Sequence, residues 1–165
     1  LTNAGALVAD AVLAKNKRES DALWRMRHAI SEAEKKEGPG AKFDISVPIG
    51  RIAEFLQVGA DRMSQHIPEA RPAVFGHIGD GNLHYNSILP AGMTADEIGE
   101  LRRRINTLVY DLVAEFDGSI SAEHGIGSVK RDLLAHYKSP AEIAVMRTLK
   151  QALDPQGILN PGKVI

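Results

Sequence analysis

The 165-residue chain carries a formal net charge of −1, with 44% hydrophobic and 25% charged residues. That composition is ordinary for one globular domain with a real core, and the near-neutral charge balance points to no nucleic-acid or membrane-surface partner. Cysteine is absent, which removes disulfides and thiolate ligands and leaves His, Asp and Glu as metal-ligating candidates.

Ala4 to Ala14 is apolar and reads equally as helix or strand. The spacing predicts a helix from about Ser20 to Lys36, with Leu23, Met26, Ile30 and Ala33 on a buried face, ended by Gly38-Pro39-Gly40. Lys42-Phe43-Asp44-Ile45-Ser46-Val47 alternates like a strand. Pro48 can then open a second helix with Ile49, Ile52, Phe55, Leu56 and Met63 as its buried stripe. Pro68 and Pro72 bracket a loop before a hairpin with strands near Ala73–Ile78 and Leu83–Leu89. Thr94 and Glu97 form a capping box, with Met93 placed to staple onto Ile98, and the helix they begin has Gly118 as its stop. A short strand, residues 119–122, leads to Glu123-His124-Gly125-Ile126-Gly127. A helix from about Ser128 to His136 follows. Ser139-Pro140-Ala141-Glu142 then opens a last long helix that ends at Asp154-Pro155. A hairpin among helices fits an α+β layer, a mostly antiparallel sheet with helices packed on one face and C-terminal helices after it. No repeat, low-complexity tract, signal-peptide pattern or bilayer-length apolar run interrupts this order.

The hairpin carries the densest chemistry. Asp80-Gly81 predicts a two-residue type I′ turn, which sets His77 directly opposite His84 with Cβ atoms roughly 4.5–5.5 Å apart. Two imidazoles at that separation can share one metal ion, although strand histidines bonded to their neighbours are the plainer reading. Asn86 falls on the same face by alternation. Glu123 is the best candidate for a third ligand. His124 faces the other way on an extended chain and suits a general base beside the metal; a surface Glu-His pair is the alternative. Gly125 and Gly127 would allow close backbone approach to a flat ligand. Arg27 and Ser31 share a helix face, where the guanidinium can grip a carboxylate or simply lay its stem on apolar surface. His28, His66 and His136 have no partner in sequence, and the tail Asn160-Pro161-Gly162-Lys163 makes a stiff loop to which composition gives no role.

Together these motifs resemble the C-terminal part of the FAD-linked D-2-hydroxyacid dehydrogenases, the group of D-lactate dehydrogenases, glycolate oxidase subunits and D-2-hydroxyglutarate dehydrogenase. The stretches that carry the resemblance are Ala22–Arg27, Lys42–Pro48, the His77–Asn86 hairpin, Ser121–Gly127 and the Asn160–Lys163 tail. The resemblance implies a ferredoxin-like cap domain spanning residues 1–165, with the FAD-binding domain lying N-terminal to it. The chain begins at Leu1 and shows no glycine-rich pyrophosphate loop, so the expectation is a piece of a larger enzyme or a separately encoded subunit, without turnover alone. By the same resemblance His77, His84 and Glu123 hold a divalent ion, zinc or manganese, and His124 is the base near flavin and substrate. Arg27, Ser31, Lys42 and Asn86 bind a small 2-hydroxyacid, and Asn160 touches FAD. Ser31 stands where this branch commonly has Thr, and Lys42 before Phe-Asp-Ile-Ser tilts the match toward the D-2-hydroxyglutarate branch. The implied setting is cytoplasmic or membrane-peripheral, with an unidentified electron acceptor and a homodimer as an allowed assembly. Two other functions fit the same residues: a metal-binding or assembly module without chemistry, and a metal-dependent hydrolase.

Overall fold

The computed structural model describes residues 10–165. Most of the apolar stretch at Ala4–Ala14 lies outside them, and its last residues have no regular structure. The chain divides into two compact units, Leu1–Glu37 and Gly38–Ile165.

In the first unit the expected single helix is two, α1 (Lys17–His28) and α2 (Ile30–Glu37), separated by Ala29. The start moves upstream because the Asn16 side chain accepts the Glu19 N–H, a strong N-cap. The expected buried stripe is not buried: Leu23, Met26 and Ile30 are exposed, and α1 has no buried residue. Two helices of 12 and 8 residues are too short to bury such a stripe between themselves.

The second unit is built on one central strand. β4 (Asn82–Ile88) pairs antiparallel along its whole length with β3 (Arg71–His77). Along its other edge it pairs with two short pieces, β1 (Gly40–Ala41) at one end and β2 (Ile45–Ser46) at the other. The strand expected over 42–47 is therefore interrupted at 42–44. The register is the same on both sides of the gap, Ala41↔Ser87 and Ile45↔Leu83, so the edge opens without slipping. Pro72, expected in a loop, is inside β3, at an edge position where its missing N–H leaves no rung of a central ladder unmade.

Helices cover one face. A three-residue 3-10 turn, Ile49–Arg51, precedes α3 (Ile52–His66), and the extra turn leaves Ile49 exposed, outside the stripe expected for it. α3 buries Ile52, Phe55 and Met63, and α4 (Ala95–Glu115) buries Leu101, Ile105, Val109, Leu112 and Val113. They close on Ile45, Leu83 and Tyr85 of the sheet. Phe55 meets Tyr85 edge-on, with centroids 5.5 Å apart, the geometry aromatic quadrupoles favour. Both bonds of the Thr94–Glu97 capping box form.

The stop of α4 differs from expectation. Asp117, not Gly118, takes the left-handed conformation (φ 55°), and the Gly118 N–H returns to the Val113 carbonyl at 2.9 Å, a Schellman closure. Gly118 is required for another reason: a Cβ there would lie 2.4 Å from the Ser46 carbonyl oxygen. That close approach lets Ser119 pair with Ser46 in an isolated bridge, where a strand was expected over 119–122. Then come α5 (Arg131–Tyr137), shorter than expected, and α6 (Pro140–Leu153), with its Ser139–Glu142 capping box complete. We expect Gly118→Ala to cost about 1–3 kcal/mol through forced backbone displacement. The readout is the urea midpoint at unchanged m-value; an unmoved midpoint would show that the Ser46–Ser119 approach is loose.

Candidate functional site

The hairpin turn is four residues, Ile78 to Gly81, rather than the expected two. A type I′ turn needs φ > 0 at both central residues, and of Asp80 and Gly81 only Gly81 has it (φ 78°). The Asp80 carboxylate instead accepts the Asn82 N–H at 3.0 Å, a local side-chain turn that competes with the tight hairpin. The register moves by two: His77 pairs with Asn82, and Phe75 with His84. A shift of one would have sent His77 to the opposite face from His84, whereas a shift of two keeps parity. The two histidines are diagonal neighbours on one face, with Cβ atoms farther apart than the direct pairing predicted. The Phe75 ring fills the directly opposed position, its centroid 4.9 Å from that of His84.

The polar row on β4 is Asn82, His84 and Asn86, and the register sets Ser46, Asp44 and Lys42 across from it on the broken edge. Where the edge opens, side chains replace backbone rungs. The Asn86 amide oxygen accepts the Phe43 N–H at 2.9 Å, and the Asn82 amide donates to an Asp44 oxygen at 2.9 Å. The other Asp44 oxygen accepts the backbone N–H groups of Glu123 (2.9 Å) and His124 (2.7 Å). The Ser46–Ser119 pair delivers the 119–124 segment to this point, and Lys130 Nζ donates to the Ile120 carbonyl at 2.7 Å. Gly125 (φ 75°) and Gly127 (φ 57°) then turn the chain away, each with open space where a Cβ would stand. Both glycines take a left-handed conformation that a side chain would strain.

Glu123 reaches both hairpin histidines. One carboxylate oxygen is 3.4 Å from His77 Nδ1 and the other 3.6 Å from His84 Nε2. The His124 ring stands beside them, its centroid 6.0 Å from that of His84 and its Nδ1 3.6 Å from Asp44. His84 is mostly buried, and His124 is open to solvent. Among the described residues, no group of three or more His, Asp or Glu side chains closes into a ready metal cluster. Glu123 joins the two imidazoles, which the diagonal register keeps from facing each other directly.

Burial pushes the Asp44 carboxyl upward, but the His124 and Glu123 N–H bonds, the Asn82 amide and the His124 imidazole together hold it below its ordinary value. Burial lowers Lys130, partly offset by the Asp44 charge. Sequence reasoning passed over Asp44 and Asn82. The usable signal was that Asp44 lies on the polar side of an alternating strand whose Phe43, Ile45 and Val47 are all core.

The remaining candidates are spread out. Arg27 lies on α1 and Ser31 on α2, both in the first unit. Lys42 is exposed in the opened edge, and Asn86 is buried while holding Phe43. Asn160 takes a left-handed conformation (φ 46°) in the C-terminal loop, beside a groove formed with Met146, Leu149, Leu153 and Lys163. That loop is pinned by the buried Asp154 carboxylate, which accepts from Lys150 Nζ and the Ile158 and Leu159 N–H groups. No helix among the described residues is long and apolar enough to cross a membrane.

Fold and site together define an α+β domain that presents imidazole and carboxylate groups along the polar row of its central strand. The chain belongs to the family of FAD linked oxidases, C-terminal domain, which matches residues 2–164. It is 42% identical over 157 residues to a D-2-hydroxyglutarate dehydrogenase of Stutzerimonas stutzeri, covering 95% of this chain and 34% of that protein. It is 39% identical over 160 residues to the mitochondrial D-2-hydroxyglutarate dehydrogenase of Bos taurus (96% and 28%) and 38% over 159 residues to that of Arabidopsis thaliana (96% and 27%). The chain thus spans 27–34% of the length of these relatives.

The Lys150 ammonium, against the opposing effect of burial and with help from the Leu159 and Ile158 N–H groups, holds the Asp154 carboxyl below its ordinary 3.8. A depressed folded pKa adds stability above the unfolded value, and that stability disappears as pH falls through the folded one. We therefore expect Asp154→Asn to lower the unfolding midpoint at pH 7, with the gap to wild type closing below about pH 3.8. A gap independent of pH would show that Asp154 acts by packing alone.

Proposed function

We propose that this domain forms the substrate side of a flavin-dependent dehydrogenase acting on a D-2-hydroxyacid, with a 2-hydroxyglutarate-like dicarboxylate as the leading candidate. The observation that carries the reading is the Glu123 carboxylate standing between His77 and His84 with His124 alongside. Two imidazoles and a carboxylate, without thiolate, suit zinc or manganese. Glu123 offers one carboxylate oxygen to each imidazole, 3.4 Å from His77 Nδ1 and 3.6 Å from His84 Nε2. His77, His84 and Glu123 would hold the ion. When bound, it would act as a Lewis acid on the substrate's C2 hydroxyl. FAD, carried by a partner domain outside this chain, would accept the hydride.

The chain's own residues do the rest. His124 takes the hydroxyl proton on an imidazole nitrogen as the C2–H bond breaks, so that the C2 carbonyl forms as the proton and hydride leave by separate routes. Its solvent-open ring passes that proton on. Lys42 fixes a carboxylate, and such orientation is a large part of the rate; Arg27 and Ser31 of the first unit are substrate-binding residues by the family resemblance alone. Asn86 recognises substrate and, through Phe43, braces the neighbouring Lys42. Asn160 meets the edge of FAD at the apolar groove of the C-terminal loop. That relatives of the chain are D-2-hydroxyglutarate dehydrogenases supports the substrate class.

The 165-residue chain should bind zinc or manganese weakly without turnover, and His77→Ala, His84→Ala and Glu123→Gln should each lose ion content by elemental analysis. Equal content in all four proteins would remove the proposed site. In the assembled flavoprotein, His124→Ala should keep the ion and lose roughly 10²–10⁴-fold in kcat. A kcat near wild type would remove the base.

A further inference from the structure

We propose that Asp44 is a positioning residue: its buried carboxylate, by accepting the backbone N–H groups of both Glu123 and His124, sets the direction in which the ligand and the base leave the chain. The inference rests on the ion reading above and assigns a role to a residue outside that set. Three observations converge on it. Asp44 is 2% exposed, yet it lies across the register from His84, one of the histidines Glu123 approaches. Both its oxygens are used, one by the Asn82 amide and one by the two N–H groups. It is also held from behind, because Ala122 N–H donates to the Asp44 carbonyl at 3.3 Å. Two successive N–H groups on one oxygen leave the 123–124 backbone a single orientation relative to β4. The Glu123 side chain is consequently aimed at His77 and His84 from a loop that has no strand or helix of its own. A carboxylate that orients ligand-bearing groups from behind typically tunes ion affinity about 10–100-fold.

The test separates orientation from charge. Asp44→Ala removes the acceptor and the charge; Asp44→Asn removes the charge but keeps an amide oxygen for the two N–H groups, while its NH2 donates to the otherwise unpartnered Asn82 amide oxygen once that amide turns over. Zinc affinity of the 165-residue chain is measured against a chromophoric chelator, with Ile105→Val, a core change remote from the loop, as a stability control. We expect affinity to fall about tenfold or more in Asp44→Ala, to stay close to wild type in Asp44→Asn, and to be unchanged in Ile105→Val. Equal losses in Ala and Asn would make the effect one of charge at a distance and overturn the proposal, as would an Ala variant that binds like wild type. A wild-type chain that binds no zinc or manganese would instead sink the ion reading, and this inference with it. Amide exchange in the wild type stands independently of whether Asp44→Ala folds. The Glu123 and His124 amides should exchange at least about tenfold more slowly than that of Gly125, as bonded amides do. Exchange at the Gly125 rate would show that Asp44 does not hold them.

Discussion

Side chains stand in for backbone in the place that matters most. Along the outer edge of β4 the ladder opens between Ala41 and Ile45 while the register on either side stays the same. An opened edge leaves donors and acceptors that must be satisfied once buried. Asn86 takes the Phe43 N–H and Asn82 takes Asp44. The two asparagines therefore hold the gap at a fixed width. That width admits the Asp44 carboxylate, and the carboxylate in turn collects the loop that brings Glu123 and His124.

The apolar framework explains why this arrangement is stiff. Phe43, Ile45 and Val47 are all buried although the strand they belong to is interrupted, so the alternation holds where the ladder does not. Phe43 packs edge-on against Tyr110 of α4, 5.2 Å between centroids. The segment is thus anchored on the helical side by its odd residues. Its even residues, Lys42, Asp44 and Ser46, remain to face the polar row of β4. Gly118 extends the order one layer further, since only a residue without Cβ permits the approach that pairs Ser119 with Ser46.

Much of this was legible in the residues. Both capping boxes, the α+β class and the shared face of His77 and His84 follow from local spacing. Spacing failed where a side chain competed with the backbone. Asp80 bonds Asn82 and lengthens the turn, Asp117 rather than Gly118 takes the left-handed stop, and Asn86 parts an edge strand that alternation alone would keep whole. Each failure is a polar side chain capturing a main-chain N–H or adopting a conformation usually left to glycine, and pattern counting does not register such events. The faces survived because a register error of two preserves parity. For Asp44 alternation gave the face but not the role, which lies in two N–H groups about eighty residues downstream that no local pattern marks.

On the proposed ion reading, the Glu-His element has to come from outside the hairpin. Two diagonal imidazoles with Phe75 against one of them cannot alone surround a cation. A third donor must enter from outside the sheet, from a segment free to approach both rings. The 119–124 loop meets that need because its ends are fixed by main-chain bonds to Ser46 and Asp44 while the Glu123 side chain remains nearly half exposed. A fixed backbone with a half-exposed carboxylate is the combination that the proposed site needs. A fully buried Glu123 would order the histidines at the expense of access, and a loop without Asp44 would give access without direction.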